Sequence, residues 1–434
     1  MIRVSSIFTT MVIGSLTLYL LLYMALGVNK ISSLMEALSL VGLLCAIPAI
    51  YISRSIYTNR PVIFFGLFCG YLLILAISTA ITGNSGTSRI QALLVDGFVD
   101  IKIYSIAFFL VAFVPAYRNA QLVKTVFVVI LCVGCLNMPF VFMDLVSTKS
   151  VHGLWLEKRF GLGIPVGLFD HKLKSAQFQL IAMIAAFGLL CDASKHRTLF
   201  KTLAGLMTVS VMAHLSVKEI AAMGAVLYLF LVMTYRGDMG VKSMIALSLF
   251  VVMTLAISFE TPIQSAIFDR FSVFLGETGA KTVRTAAYIG SVHLAADHMP
   301  FGAGAATFMS KGARDLSYSP FYYELGIDKL YGGSEDDPRF IMDTFWPKII
   351  GQTGVLGVLF YFSMIAISIF WGLRDFKREV SMPAFCAAMM LLSVFIFSLA
   401  TPAYTHDHVT IPVAVSLALV LSRSSNKKGL NNAR

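Results

Sequence analysis

Three charged residues stand where polar stretches meet apolar runs, which is where chemistry at a membrane surface would need them. Asp343 closes a long hydrophilic stretch in FIMDTFWPKIIGQTGVLG (340–357). As a carboxylate it suits two tasks. It can act as a general base, or it can serve with Thr344 as a helix N-terminal cap, with Pro347 in the first turn. Burial against Phe345 and Trp346 would raise its pKa, and a nearby arginine would lower it. Lys218 sits beside Glu219 in a tight hairpin, MAHLSVKEIAAMG (212–224). Its ammonium either snorkels to the interface or faces a cavity that holds an anion. Arg284 lies in KTVRTAAYIGSVHLAAD (281–297), an amphipathic helical pattern in which Arg284, Tyr288 and Ser291 share a face. Its guanidinium is either solvated or set to grip a phosphate with a planar fork. Arg270, Arg339 and the cations of 158–174, Lys172 and Lys174 among them, are weaker versions of the same idea.

Other chemistries find little support. There is no P-loop, no HExxH and no GxSxG, and the glycines of FGAGAA follow no strand. The histidines show no metal-ligand spacing; His406 and His408 flank Asp407 and read as polar loop residues. The acids of SEDD (334–337) read as a solvated cluster. All six cysteines lie in or beside apolar segments, so Cys132 and Cys135 read as packing residues rather than a redox or metal pair. The tyrosines of 318–331 either stack on sugar rings or pack a small core of their own.

The elements that must position these residues are set by the solvent. Hydrophobic residues make up 57% of the 434 and charged ones 13%, against about 25% charged in a soluble domain. A bilayer core needs about 20 apolar residues per helix. Twelve segments qualify, near 6–27, 32–52, 61–82, 101–117, 122–145, 175–192, 198–215, 219–235, 242–258, 346–372, 383–401 and 408–422. The expectation is an all-α polytopic membrane protein, one integral domain over 1–434, with the first segment a retained anchor. With the N-terminus in the cytoplasm, that side's tails and short loops hold 17 Lys and Arg, and the opposite short loops hold Lys30, Arg89, Lys102 and Lys218. This asymmetry puts both termini in the cytoplasm. It also assigns the net charge of +11 to topology and anionic lipid rather than to nucleic acid. Two long loops then face outward. Residues 146–174 are basic. Residues 259–345, between the ninth and tenth helices, carry eleven acids and seven Lys or Arg and include short helices. Residues 423–434 form a basic cytoplasmic tail.

Helix pattern, loop placement and RTAAYIGSVHLAADHMPFGAGAATF together resemble the O-antigen ligase and polysaccharide polymerase superfamily. The matching positions are Arg284 opening a helix, then His298, Pro300, Gly302 and Gly304, and later Asp343, Thr344, Gly354 and Gly357. The ligases have a functional histidine at the place of Asp343, and usually an arginine near Lys218, so the polymerase branch is favoured. The resemblance implies a glycosyltransferase of the bacterial inner membrane. It would move a glycan from undecaprenyl diphosphate onto a lipid-linked repeat unit at the periplasmic face, without nucleotide sugar, metal or other cofactor. A chain-length regulator and a flippase would be its partners. Asp343, Arg284 and Lys218 would be catalytic. Lys172, Lys174, Arg270 and Arg339 would hold diphosphate, and Tyr288, Tyr322, Tyr323 and Trp346 would hold sugar. The alternatives are an O-antigen or protein glycan ligase, and a transporter of polysaccharide or lipid-linked sugar. A transporter would favour inverted repeats and broken helices, and the sequence shows neither.

Overall fold

A computed structural model describes residues 44, 59–82, 88–113, 116–159, 161–190, 197–214, 216–234, 282–379 and 381–422. The apolar segments 6–27 and 242–258, almost all of 32–52, the residue Arg270 and the tail 423–434 lie outside them. The chain is mainly helical: α1 Arg60–Thr82, α2 Arg89–Phe113, α3 Ala116–Val146, α4 Lys172–Leu190, α5 Arg197–Ala213 and α6 Val217–Thr234. After these come α7 Val283–Asp297, the short α8 Lys311–Asp315 and α9 Pro320–Glu324, then α10 Trp346–Glu379, α11 Met382–Ser398 and α12 Asp407–Ser422. A two-stranded antiparallel hairpin, β1 Lys158–Arg159 and β2 Leu162–Gly163, belongs to the loop after α3.

Four helical stretches among the described residues are long and apolar enough to cross a membrane: Arg60–Thr82, Val123–Val146, Lys172–Leu190 and Trp346–Arg378. Met382–Ser398 and His408–Ser422 are shorter apolar helices. Helices α4 and α11 are buried along nearly their whole length, and small residues let neighbours come close. A Cβ on Gly134 of α3 would lie 2.6 Å from Ala182 of α4. One end of the bundle is tied by a buried ion pair in which both Arg60 Nη atoms meet the Asp375 carboxylate, at 2.7 and 2.5 Å. Arg60 also donates to the Val420 carbonyl at 2.9 Å. The start of α1 and the ends of α10 and α12 therefore meet there.

The opposite end is polar and elaborate. The sequence places an apolar helix over 101–117, but α2 begins at Arg89. Its extra turns carry Asp96, whose carboxylate accepts from the Ala306 and Gly312 N–H groups and from Gln352 Nε2. Asp100 accepts from Lys348 Nζ at 2.6 Å and from the Tyr71 hydroxyl at 2.7 Å. Charged residues inside a helix hid these turns from a reading based on apolar runs.

The run 346–372, continuous as a sequence, is broken in space. Gly354 has φ 58° and ψ −161°, so α10 is two helical pieces joined at a kink. The turn 300–304 enters the break. The Ala303 and Gly304 N–H groups donate to the Gly351 and Gln352 carbonyls at 2.8 and 2.9 Å. A Cβ on Gly302 would fall 2.4 Å from the Gly354 nitrogen, so these two glycines permit the crossing. Ser78 and Thr82 of α1 close the arrangement by donating to the Gly302 and Ala303 carbonyls. Non-helical backbone at this depth is tolerated because protein surrounds it and satisfies it.

Candidate functional site

The charged residues singled out in the sequence gather at this polar end. α7 is capped by Thr282, whose hydroxyl accepts from the Thr285 N–H, and it places Arg284 in its first turn. Asp343 comes from the stretch just ahead of α10. The two form an ion pair, with side chains 41% and 29% exposed. The bonds that Asp343 makes exclude the capping task. Among the described residues the carboxylate bonds to Arg284 and not to the first N–H groups of α10, and the Thr344 hydroxyl, buried without a partner, is no cap either.

Lys218 stands in the first turn of α6, half-buried. Its ammonium interacts electrostatically with Glu219, Arg284, Asp343 and Lys172. No hydrogen bond or ion pair reaches it among the described residues, and Glu219 is instead bonded to the Ser216 hydroxyl. A half-buried cation without a direct counter-ion is chemically a place for an anion. Arg284 adds a second spare donor, for its Nε is buried with no partner.

The loop after α3 supplies further cations. It is hooked back onto the bundle: Asp144 accepts from the Val166 and Gly167 N–H groups at 2.9 and 2.8 Å, and Asn137 accepts from the Leu168 N–H at 2.7 Å. Asn137 also donates to the Ser175 hydroxyl at 3.0 Å, and Ser175 lies 2.9 Å from His214 Nε2. This chain of contacts ties the last part of α3, the start of α4 and the end of α5 together, and so fixes Lys172 and Lys174 at the head of α4. Lys172 is paired with Glu157 and Lys174 with Asp170 at 2.7 Å.

Two histidines border the cluster: His171, just ahead of α4, and His406, which the sequence reading takes as a polar loop residue. Burial lowers the His171 pKa, and Lys172 and Lys174 lower it further, while Asp170 and Asp343 oppose them. His406, in the turn between α11 and α12, is pushed down to about 3 by burial and then by Lys174, Lys102, His171 and Lys218. Lys102 of α2 reaches the same turn through the Thr405 carbonyl at 2.9 Å. His406 and His408 rings lie 5.3 Å apart, and His408 Nε2 is 3.1 Å from Gln177 Oε1. The signal for these residues was present as isolated polar side chains, Gln177 and His408, at the ends of apolar runs.

The other sequence candidates lie apart from this group or are enclosed. Arg339 is exposed and engaged with Asp337 at 2.6 Å and the Tyr331 ring at 4.9 Å. Tyr322 is wholly buried and its hydroxyl accepts from the Met309 N–H, so it packs the core of the 282–341 region. Tyr323 is exposed and donates to Glu335. Trp346 is 6% exposed, packs on Phe345, Tyr361 and Phe395, and donates to the Ser398 hydroxyl, leaving no free ring face for a sugar. Tyr288 remains near the site: it feels the Arg284 charge and donates to the Leu399 carbonyl at 2.6 Å. Among the described residues no group of His, Cys, Asp and Glu is arranged to hold a metal ion.

The arrangement can concentrate positive charge beside one carboxylate at the end of an apolar bundle, which suits an anionic group carried on a lipid. Compared with models of known protein families and with curated proteins, the chain matches none.

Proposed function

We propose that the chain is a membrane-embedded glycosyltransferase of the bacterial inner membrane, a polymerase that moves a growing glycan from undecaprenyl diphosphate to the next lipid-linked repeat unit. The observation that carries this reading is the convergence of Lys218, Arg284, Lys172 and Asp343, which come from stretches far apart in sequence. The acceptor hydroxyl attacks the anomeric carbon, the bond from that carbon to the diphosphate oxygen breaks, and the hydroxyl proton passes to Asp343. Lys218, Lys172 and Arg284 stabilise the charge that builds on the departing diphosphate. The ion pair gives the step a natural coupling. Once Asp343 is protonated its hold on Arg284 weakens, and the guanidinium turns its charge to the leaving group.

The break in α10 is the feature that favours a transporter, since substrate and ion sites there use unwound helix ends. In this chain, however, the turn at Ala303 and Gly304 already occupies the carbonyls freed at Gly351 and Gln352, which weighs against that reading. Surface glycan from a deletion strain, complemented with wild type or Asp343→Asn, tests the proposal. A polymerase leaves single repeat units when Asp343→Asn is supplied, with protein level unchanged. Long lipid-linked polymer would indicate a ligase, and full-length surface glycan would overturn the role of Asp343.

A further inference from the structure

The loop between α3 and α4 has two faces of opposite character. Residues 164–169 turn Ile164, Val166 and Phe169 inward, all under 8% exposed. The hairpin before them does the reverse. Trp155 is 76% exposed, and Val151 and Leu154 are 52% and 47% exposed. The hairpin is nonetheless ordered by its own bonds. Ser150 N–H donates to the Leu154 carbonyl at 2.8 Å, Leu156 N–H to the Thr148 carbonyl at 3.1 Å, and Ile164 N–H to the Glu157 carbonyl at 2.7 Å. The Lys149 ammonium sits 4.6 Å from the centre of the Trp155 ring.

We propose that this hairpin docks in the headgroup layer of the bilayer, with Trp155 and Leu154 at the acyl boundary and Lys149 and Lys158 on lipid phosphates. Position identifies the occupant. The candidate span Val123–Val146 runs directly into the hairpin, so its first residues stand at interfacial depth. An indole beside a lysine is the composition that layer selects, and the basic excess of 147–163 complements anionic lipid. The Lys172–Glu157 pair then sets the charged site at the level of the lipid phosphates. The inference needs a membrane-spanning chain but not the chemistry proposed above.

Fluorescence quenching of the full chain in lipid nanodiscs tests it. The three tryptophans are Trp155, Trp346 and Trp371, and the latter two are buried in protein. The difference between wild type and Trp155→Phe therefore isolates the exposed indole. With phosphatidylcholine brominated near the top of the acyl chains, that component loses roughly half its intensity, while aqueous iodide barely reduces it. Strong iodide quenching with no effect of bromolipid would place the hairpin in water. Resistance to both quenchers would mean that protein covers it. Either result overturns the proposal.

Discussion

At the residue scale, the account turns on Lys218 having no direct partner. A lysine that merely reaches for the interface uses its stem as packing, and methionine replaces that stem well. Lys218→Met is therefore expected to leave protein level unchanged while cutting glycan polymerisation about tenfold or more. Unaltered polymer length and yield would return Lys218 to a packing role. His406 makes a separate prediction about stability. Its folded pKa of about 3 lies below the ordinary value of about 6.5, so between these values the unfolded chain binds the extra proton. Stability is then fully present above about pH 6.5 and declines as pH falls towards 3. His171, lowered for the same reasons, acts in the same sense. Thermal melts of purified protein from pH 7.5 to 4 are expected to show falling Tm, and His406→Gln is expected to make the decline shallower. A slope unchanged by His406→Gln would remove His406 from the explanation.

At the element scale, the crossing of the 300–304 turn through broken α10 is the feature that sets Asp343 and Arg284 relative to the bundle. Gly354 occupies a backbone region open to glycine almost alone, and a Cβ there would lie 2.5 Å from the Pro300 carbonyl oxygen. Gly354→Ala is expected to cost at least about 1–3 kcal/mol, read as a lower Tm. Gly66→Ala, where a Cβ meets nothing within 4 Å, is the control and should be neutral. Apolar runs located α1, α4 to α6, α11 and α12 to within three residues, because hydrocarbon demands length and apolarity and little else, while α3 starts six residues earlier and α10 ends seven residues later than their apolar runs. They could not show the break at Gly354, since a glycine within an apolar run looks the same whether or not another chain segment enters. They also missed the first turns of α2, where Asp96 and Asp100 are buried and each bonds a partner more than 200 residues away in sequence. The pairing of Arg284 with Asp343 was likewise invisible, because 59 residues separate them, though each had been marked singly by its place at the edge of an apolar or amphipathic run. The aromatic residues were less legible: Trp346 looks like a ring platform in sequence but packing encloses it, and of the two readings open for the tyrosines Tyr322 takes the second, packing a small core of the loop's own.

At the scale of the whole molecule, one end of the bundle is fastened and the opposite end carries the charged cluster. The Arg60–Asp375 pair, 4% and 8% exposed, fastens three helices far from the charged cluster. Breaking a buried pair leaves one uncompensated charge, at a cost of about 3–5 kcal/mol, whereas replacing both partners costs much less. Arg60→Met alone should therefore lower Tm more than Arg60→Met with Asp375→Leu, and the double variant should retain polymerisation. Equal losses of Tm would mean that the pair is not coupled. The opposite end gathers cations from loops and helix starts against a bundle whose remaining surface suits lipid, a division of labour that a lipid-linked anionic substrate explains.

The most direct test is biochemical. Purified chain in nanodiscs is given a synthetic polyprenyl-diphosphate-linked oligosaccharide, and lengthened lipid-linked glycan and free polyprenyl diphosphate are measured together. The account predicts that both appear in equal amounts with wild type and Arg314→Ala, and that neither appears with Arg284→Ala or Asp343→Asn. No new glycosidic bond with wild type, or equal product from Arg284→Ala and Arg314→Ala, would contradict it.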